Sequence, residues 1–248
     1  MLPETQALVD QAEAKSGKPV FVYIDRDLDV SATIQVARRG ALQHVLRVKP
    51  SDSLDYFVAN QVLFMLRMVE FPPGQRFDCA PTGVGDKAMA EILQQVPAPE
   101  MRAGQGPDSV AARLAKWAVM QVRSIPIGMR VDQQIFRDMP ALRASLESGI
   151  AEQNRDNLQA IQRVRSVVSL PARYFWPAAA YALFSDRLLG RSLSSVPFDA
   201  LGLSNGGRAL LRLYDDVPRD PPNDRRLVDA WAQQLELSDW YRWTPYEP

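Results

Sequence analysis

One cysteine, Cys79, and one histidine, His44, are all that 248 residues supply of the two commonest zinc-binding side chains. A single cysteine excludes a disulfide within the chain and points to a reducing compartment. A single histidine excludes a His-rich zinc site and a two-histidine acid/base pair within one chain. Net charge is missing as well: 29 Lys and Arg balance 29 Asp and Glu. No global field draws the protein to nucleic acid or to an anionic membrane, so neither partner is indicated by net charge, although a local basic face stays open. No apolar run reaches the roughly 18 residues of a spanning helix. The opening MLPETQALVDQ is acidic and amphipathic, unlike a signal peptide. The expectation is a soluble, cytoplasmic protein with no membrane partner.

What is present is ordinary for a globular protein: 46% apolar and 23% charged residues. The length suits one large domain or two small ones with a substantial core. Residues 2–15 place Leu2, Leu8, Val9 and Ala12 at helical spacing, and Ser16-Gly17-Lys18-Pro19 stops the helix. PVFVYID, ATIQVARRG and LQHVLRVKP read as three short strands, and their short connections predict antiparallel pairing. From Ser51-Asp52, a plausible N-cap, the pattern turns helical to Glu70 with apolar residues almost all round, so this helix is expected at the centre of the fold.

Residues 71–86 read as a Pro- and Gly-rich loop, 87–95 as a brief helix, and 97–107 as a boundary. This divides the chain into 1–100, an α+β region, and 108–248, a helical region packed against it or continuous with it. In the second part, helices are expected over 108–123, 128–137 and 140–168. A turn is expected at Asn205-Gly206-Gly207 and an irregular aromatic end at SDWYRWTPYEP.

Several short patterns fail on chemistry. Asp25, Asp27 and Asp29 alternate like half a calcium loop, but Val30 and Val36 stand where such a loop needs Gly and a bidentate Glu. Gly83-Val-Gly85-Asp-Lys87 lacks the four-residue gap and the Ser or Thr of a phosphate loop, and reads as a flexible loop. Cys79 activated by His44 is conceivable as a nucleophile, but a lone cysteine is usually inert packing.

One constellation organises the chain. DYFVANQVLFMLR resembles a helix reading D-Y-x-x-A-H-E-x-x-H-x-x-R, following an edge strand. In this order of elements the chain is similar to the ImmA/IrrE-type, zincin-like metallopeptidases. Their two histidines hold zinc, the Glu between them activates water, and a later Glu completes the site. The resemblance implies a minimal zincin-like fold: helix, antiparallel sheet, helix, then an all-helical C-terminal half. On its register Asn60 replaces the first histidine, Gln61 the catalytic Glu and Phe64 the second histidine, with Asp132 at the later ligand position. Amides are poor zinc ligands and cannot act as the base, and Phe is no ligand at all. The departures therefore imply a degenerate, catalytically inactive member with no metal and no cofactor.

Such a pseudo-enzyme would be a binding or scaffold subunit with a protein partner or self-association. Its relatives often work beside regulators, toxins or phage-defence systems. Trp240, Tyr241, Trp243 and Tyr246 are the interaction candidates, since Trp and Tyr dominate binding hot spots. The alternatives are a metal-independent enzyme using Asp55 or Asp132 with Arg67 or Arg130, and a nucleic-acid accessory protein.

Overall fold

Pro3–Ser16 form the first helix, α1. Gly17, with φ of 70°, ends it in the left-handed conformation that glycine adopts without steric cost. In this computed structural model, residues 1–38, 40–94 and 107–246 are described. Three strands follow: β1 (Val20–Ile24), β2 (Ala32–Gln35) and β3 (His44–Val48). They make one sheet in the order β1-β3-β2. β2 pairs with β3 antiparallel, but β1 pairs with β3 parallel, which corrects the all-antiparallel expectation. The connection from β1 to β2 passes over the position that β3 fills. Residues 25–31 can span two strand spacings, about 10 Å, so a short link does not force neighbouring strands.

Alternation along the strands sets the two faces. His44, Leu46 and Val48 of β3 are buried. α2 (Leu54–Val69) packs against β2 and β3, with α1 against α2. Tyr56, Val58, Ala59, Val62 and Met65 are fully buried, so α2 is central, as its all-round apolar pattern requires. The cap position is Ser53, with no side-chain cap bond.

The segment 71–86 is more regular than its Pro and Gly content suggests. It holds a 3-10 turn at Pro73–Gln75, strand β4 (Phe77–Pro81) and the start of α3 (Gly83–Gln94). The expected flexible loop at Gly83–Lys87 is therefore the first turn of a helix. α4 (Pro107–Asp138) runs unbroken where two helices were expected, with Pro126 inside it. A proline removes one backbone hydrogen bond but does not end a helix whose flanks are buried, as Val122, Ile127 and Met129 are. α5 is Arg143–Val167 and α6 is Trp176–Leu189. After the short α7 (Val196–Ala200), α8 spans Ser204–Asp216, so Asn205-Gly206-Gly207 is helical and not a turn. A Cβ at Gly206 would fall 2.1 Å from the Trp176 ring, and one at Gly207 would fall 2.9 Å from the backbone of Ala179 and Ala180. These glycines allow close approach to α6. α9 is Asp224–Gln234. The aromatic end is a strand, β5 (Tyr241–Pro245), paired with β4. Tyr241 and Trp243, two residues apart, share one face of the strand, a placement that a loop reading misses.

The chain is thus mixed α+β, with small sheets and a helix-rich C-terminal part. It divides into two units. One comprises Met1–Asp78, Gly128–Gln153 and Thr244–Pro248; the other comprises Cys79–Ile127 and Asn154–Trp243. The division differs from consecutive halves at 1–100 and 108–248 because α4 and α5 each carry residues of both units. The breaker-rich stretch 97–107 lies, but for Pro107, outside the described residues. Among the described residues, no helix is long and apolar enough to cross a membrane.

Candidate functional site: a closed amide–carboxylate cluster

Asn60 sits on the buried middle of α2, 7% exposed. Its Nδ2 donates to Oδ1 of Asp132, on α4, at 2.9 Å. The same oxygen accepts the Tyr56 hydroxyl at 2.8 Å. Tyr56 precedes Asn60 by one helical turn, so both side chains leave the same face of α2. Gln153 Nε2, from α5, donates to the Tyr56 hydroxyl at 2.9 Å. Gln61 Nε2 donates to Asn60 Oδ1 at 3.2 Å. Asp132 is fully buried. A carboxylate in that position is tolerated only when engaged, and its Oδ1 takes two neutral donors.

Phe64, one further turn along α2, is half-buried and brings no ligating atom. Tyr56 and Gln153 are the members that sequence reasoning missed. The i, i+4 spacing of Tyr56 and Asn60 is the signal that could have found Tyr56; nothing in the sequence marks Gln153. Among the described residues, no three His, Cys, Asp or Glu side chains are grouped to hold a metal ion. A cleft of about 310 Å³ lies elsewhere on this unit, lined by α1, Leu63 and residues of α4 from Gln134 to Asp138, with Met139. It does not include Asn60, Gln61 or Asp132.

The other chemical candidates are engaged in structural contacts. Asp55 accepts the Leu2 backbone N–H at 2.6 Å. Cys79 stands on β4, and burial, reinforced by the Asp229 charge and opposed by Arg123, pushes its thiol up to about 12. A thiol so protonated at neutral pH is a poor nucleophile. His44 Nδ1 is already taken by the Ala37 N–H.

Each aromatic of the C-terminal segment has a partner in its own unit. Trp240 lies with its ring centroid 5.7 Å from that of Tyr174. The Tyr241 hydroxyl and Trp243 Nε1 both donate to Asp229 Oδ1, at 2.6 and 2.8 Å. Burial, then the hydrogen bond and charge of Asp229, raise the Tyr241 phenol above its ordinary range. In the other unit Tyr246 donates its N–H to the Arg76 carbonyl at 2.7 Å and its hydroxyl to the Ala37 carbonyl. Arg38 lies 5.1 Å above its ring.

His44 shares that anchor. Its Nδ1 accepts the Ala37 N–H at 2.9 Å. Burial, with Lys18 adding to it and Glu13 opposing, lowers its pKa. The folded protein therefore prefers neutral His44. Its contribution is fully present above about pH 6.5, the unfolded value, and is lost as pH falls through the lower folded value. Denaturant midpoints measured below pH 6.5 are expected to fall, and to fall less steeply in His44→Asn, whose amide oxygen can still accept from Ala37.

No family model, no curated protein and no solved structure matches the chain. Its functional reading rests on its own residues.

Proposed function

We propose that the chain is a non-catalytic binding or scaffold subunit, built on a metallopeptidase-like frame whose metal-holding face has been closed. Its surfaces would engage a protein partner or a second copy in a larger assembly. One observation carries this reading: Asp132 spends one carboxylate oxygen on both Tyr56 and Asn60, at the helix face where the resembled family holds zinc. Asn60 and Gln61 supply amides there, which neither activate water nor bind zinc well.

The cluster then acts as a structural peg, and substitution should register as lost stability. Asp132→Asn keeps an acceptor and is expected to cost about 1 kcal/mol, whereas Asp132→Ala strands two buried donors and is expected to cost about 2 kcal/mol. Denaturant titration measures both. Elemental analysis of protein purified without chelator is expected to find well under one zinc per chain, and native mass spectrometry a stoichiometric protein partner or dimer. A full zinc equivalent that disappears in Asp132→Asn would overturn the reading.

A further inference from the structure

The sheet that lays one face on α2 leaves its other face open. On that face β1 presents Phe21 and Tyr23, 44% and 47% exposed. Their ring centroids are 6.3 Å apart and the ring planes lie within 21° of parallel. Two large aromatic side chains side by side on solvent are costly to leave uncovered, and their parallel setting on one strand makes a flat surface. Tyr23 is the register partner of Arg47 on β3, and Arg47 in turn pairs with Thr33 on β2. Arg47, Thr33 and Gln35 are all exposed, and alternation places them on the same face as the rings. Asp25 faces this group, its Oδ2 3.9 Å from Arg47.

Charge points the same way. Residues 18–49 carry six Lys and Arg against three Asp; of the six, Arg38 is taken up by Asp78 and Arg47 stands on the face itself. On the strands the apolar part of the face is two rings beside half-buried Val45, with exposed Val30 and Leu42 in the adjoining loops. That is small against the roughly 800 Å² per partner of a stable protein interface. Aromatic rings on an open sheet face, beside cationic and hydrogen-bonding side chains, are what unpaired nucleobases and their phosphates require. A base inside a duplex is already stacked on its neighbours and cannot use such a surface.

We propose that the open face of the β1-β3-β2 sheet binds single-stranded nucleic acid, with Phe21 and Tyr23 stacking unpaired bases and Arg47 pairing with the backbone. Thr33 and Gln35 are placed to hydrogen-bond base edges. The site is separate from the Tyr56–Asn60–Asp132 cluster, so it holds whether or not the scaffold reading does.

The test is fluorescence anisotropy with the full chain and fluorescein-labelled 12-nucleotide oligothymidine and oligouridine, titrated at low salt. Saturable binding in the range of about 10⁻⁶–10⁻⁴ M is expected for at least one of them, and the tighter one identifies DNA or RNA. Phe21→Ser/Tyr23→Ser is expected to weaken it at least about tenfold, since each stacked base contributes substantially. Phe21→Leu/Tyr23→Leu keeps apolar bulk while removing the π faces, so it should bind as weakly as the Ser pair with an unchanged thermal melt. Arg47→Gln is expected to reduce the slope of log K against log salt by about 0.7. The proposal is overturned if neither strand binds, if the Leu pair binds like the parent chain, or if a duplex of the same length binds as tightly as the single strands. It is equally overturned if sedimentation shows a dimer that the Leu pair converts to monomer, which would make the face a self-interface.

Discussion

Removing residues 240–248 is expected to cost the protein most of its stability, lowering the melting temperature by at least about 10 °C or leaving no soluble chain. In the sequence the segment reads as an irregular aromatic end with four interaction candidates; in the fold Trp240, Tyr241 and Tyr246 are 5%, 8% and 3% exposed. Trp240 covers α3 so closely that a Cβ on Gly85 would stand 2.9 Å from its ring. Its carbonyl accepts the Thr82 N–H at 2.8 Å. Loss of one such Trp alone costs about 3–5 kcal/mol. The deletion also strips Asp229 of two donors, leaves β4 without its strand partner and removes the phenol that closes on Ala37. The sum exceeds about 5 kcal/mol, a large part of the 5–15 kcal/mol that holds a typical domain folded. At about 2–4 °C per kcal/mol for a chain of this size, the shift is plain in a calorimetric scan. Single substitutions divide the effect. Trp240→Ala is expected to account for about 3 kcal/mol and Tyr246→Phe, which removes only a hydroxyl, for about 1 kcal/mol. An unchanged melt together with loss of a partner would mean that the aromatics dock elsewhere than on their own chain.

The sequence conveyed elements better than their pairing. α1, α2 and α5 were legible because apolar residues recur at helical spacing and because Gly17 and Pro140 punctuate the chain. Burial of α2 on almost every side followed from its composition. The parallel pairing of β1 with β3 was not legible, because strand order depends on which strand enters the gap between two others, a tertiary choice that no local pattern records. The continuity of α4 through Pro126 and the helical Gly206-Gly207 have a common cause. Proline and glycine mark breaks only where local preference decides, and here burial of Val122 and Met129 and contact with Trp176 override it.

The cluster shows the same division. Asn60 and Asp132 could be named because a family register placed them, and Tyr56 stands one turn away on the same helix. Gln153 lies 97 residues from its partner Tyr56, and only the packing of α5 brings the two together.

Gly149 tests that packing most severely, and with a sign opposite to the naive one. Inside a helix such as α5, replacing Gly by Ala is ordinarily stabilising by about 1 kcal/mol, since Ala is the better helix former. Here Gly149→Ala is expected to destabilise by about 4 kcal/mol. A Cβ at this position would fall 2.2 Å from Cδ1 and 2.4 Å from Cε1 of Tyr56. Tyr56 is fully buried and cannot swing away into solvent. To make room, its ring must shift, which lengthens the bonds to Asp132 and Gln153 and pushes on neighbouring α2 side chains. Overpacking of this kind costs about 1–3 kcal/mol, and a buried donor left without its partner adds about 1–3 kcal/mol. The double variant Gly149→Ala/Tyr56→Ala separates the causes. If the clash is the dominant effect, removing the ring makes the alanine at 149 neutral or favourable, so the two substitutions are far from additive. Additive costs in denaturant titration, or a Gly149→Ala chain as stable as the parent, would show that α5 does not press on Tyr56.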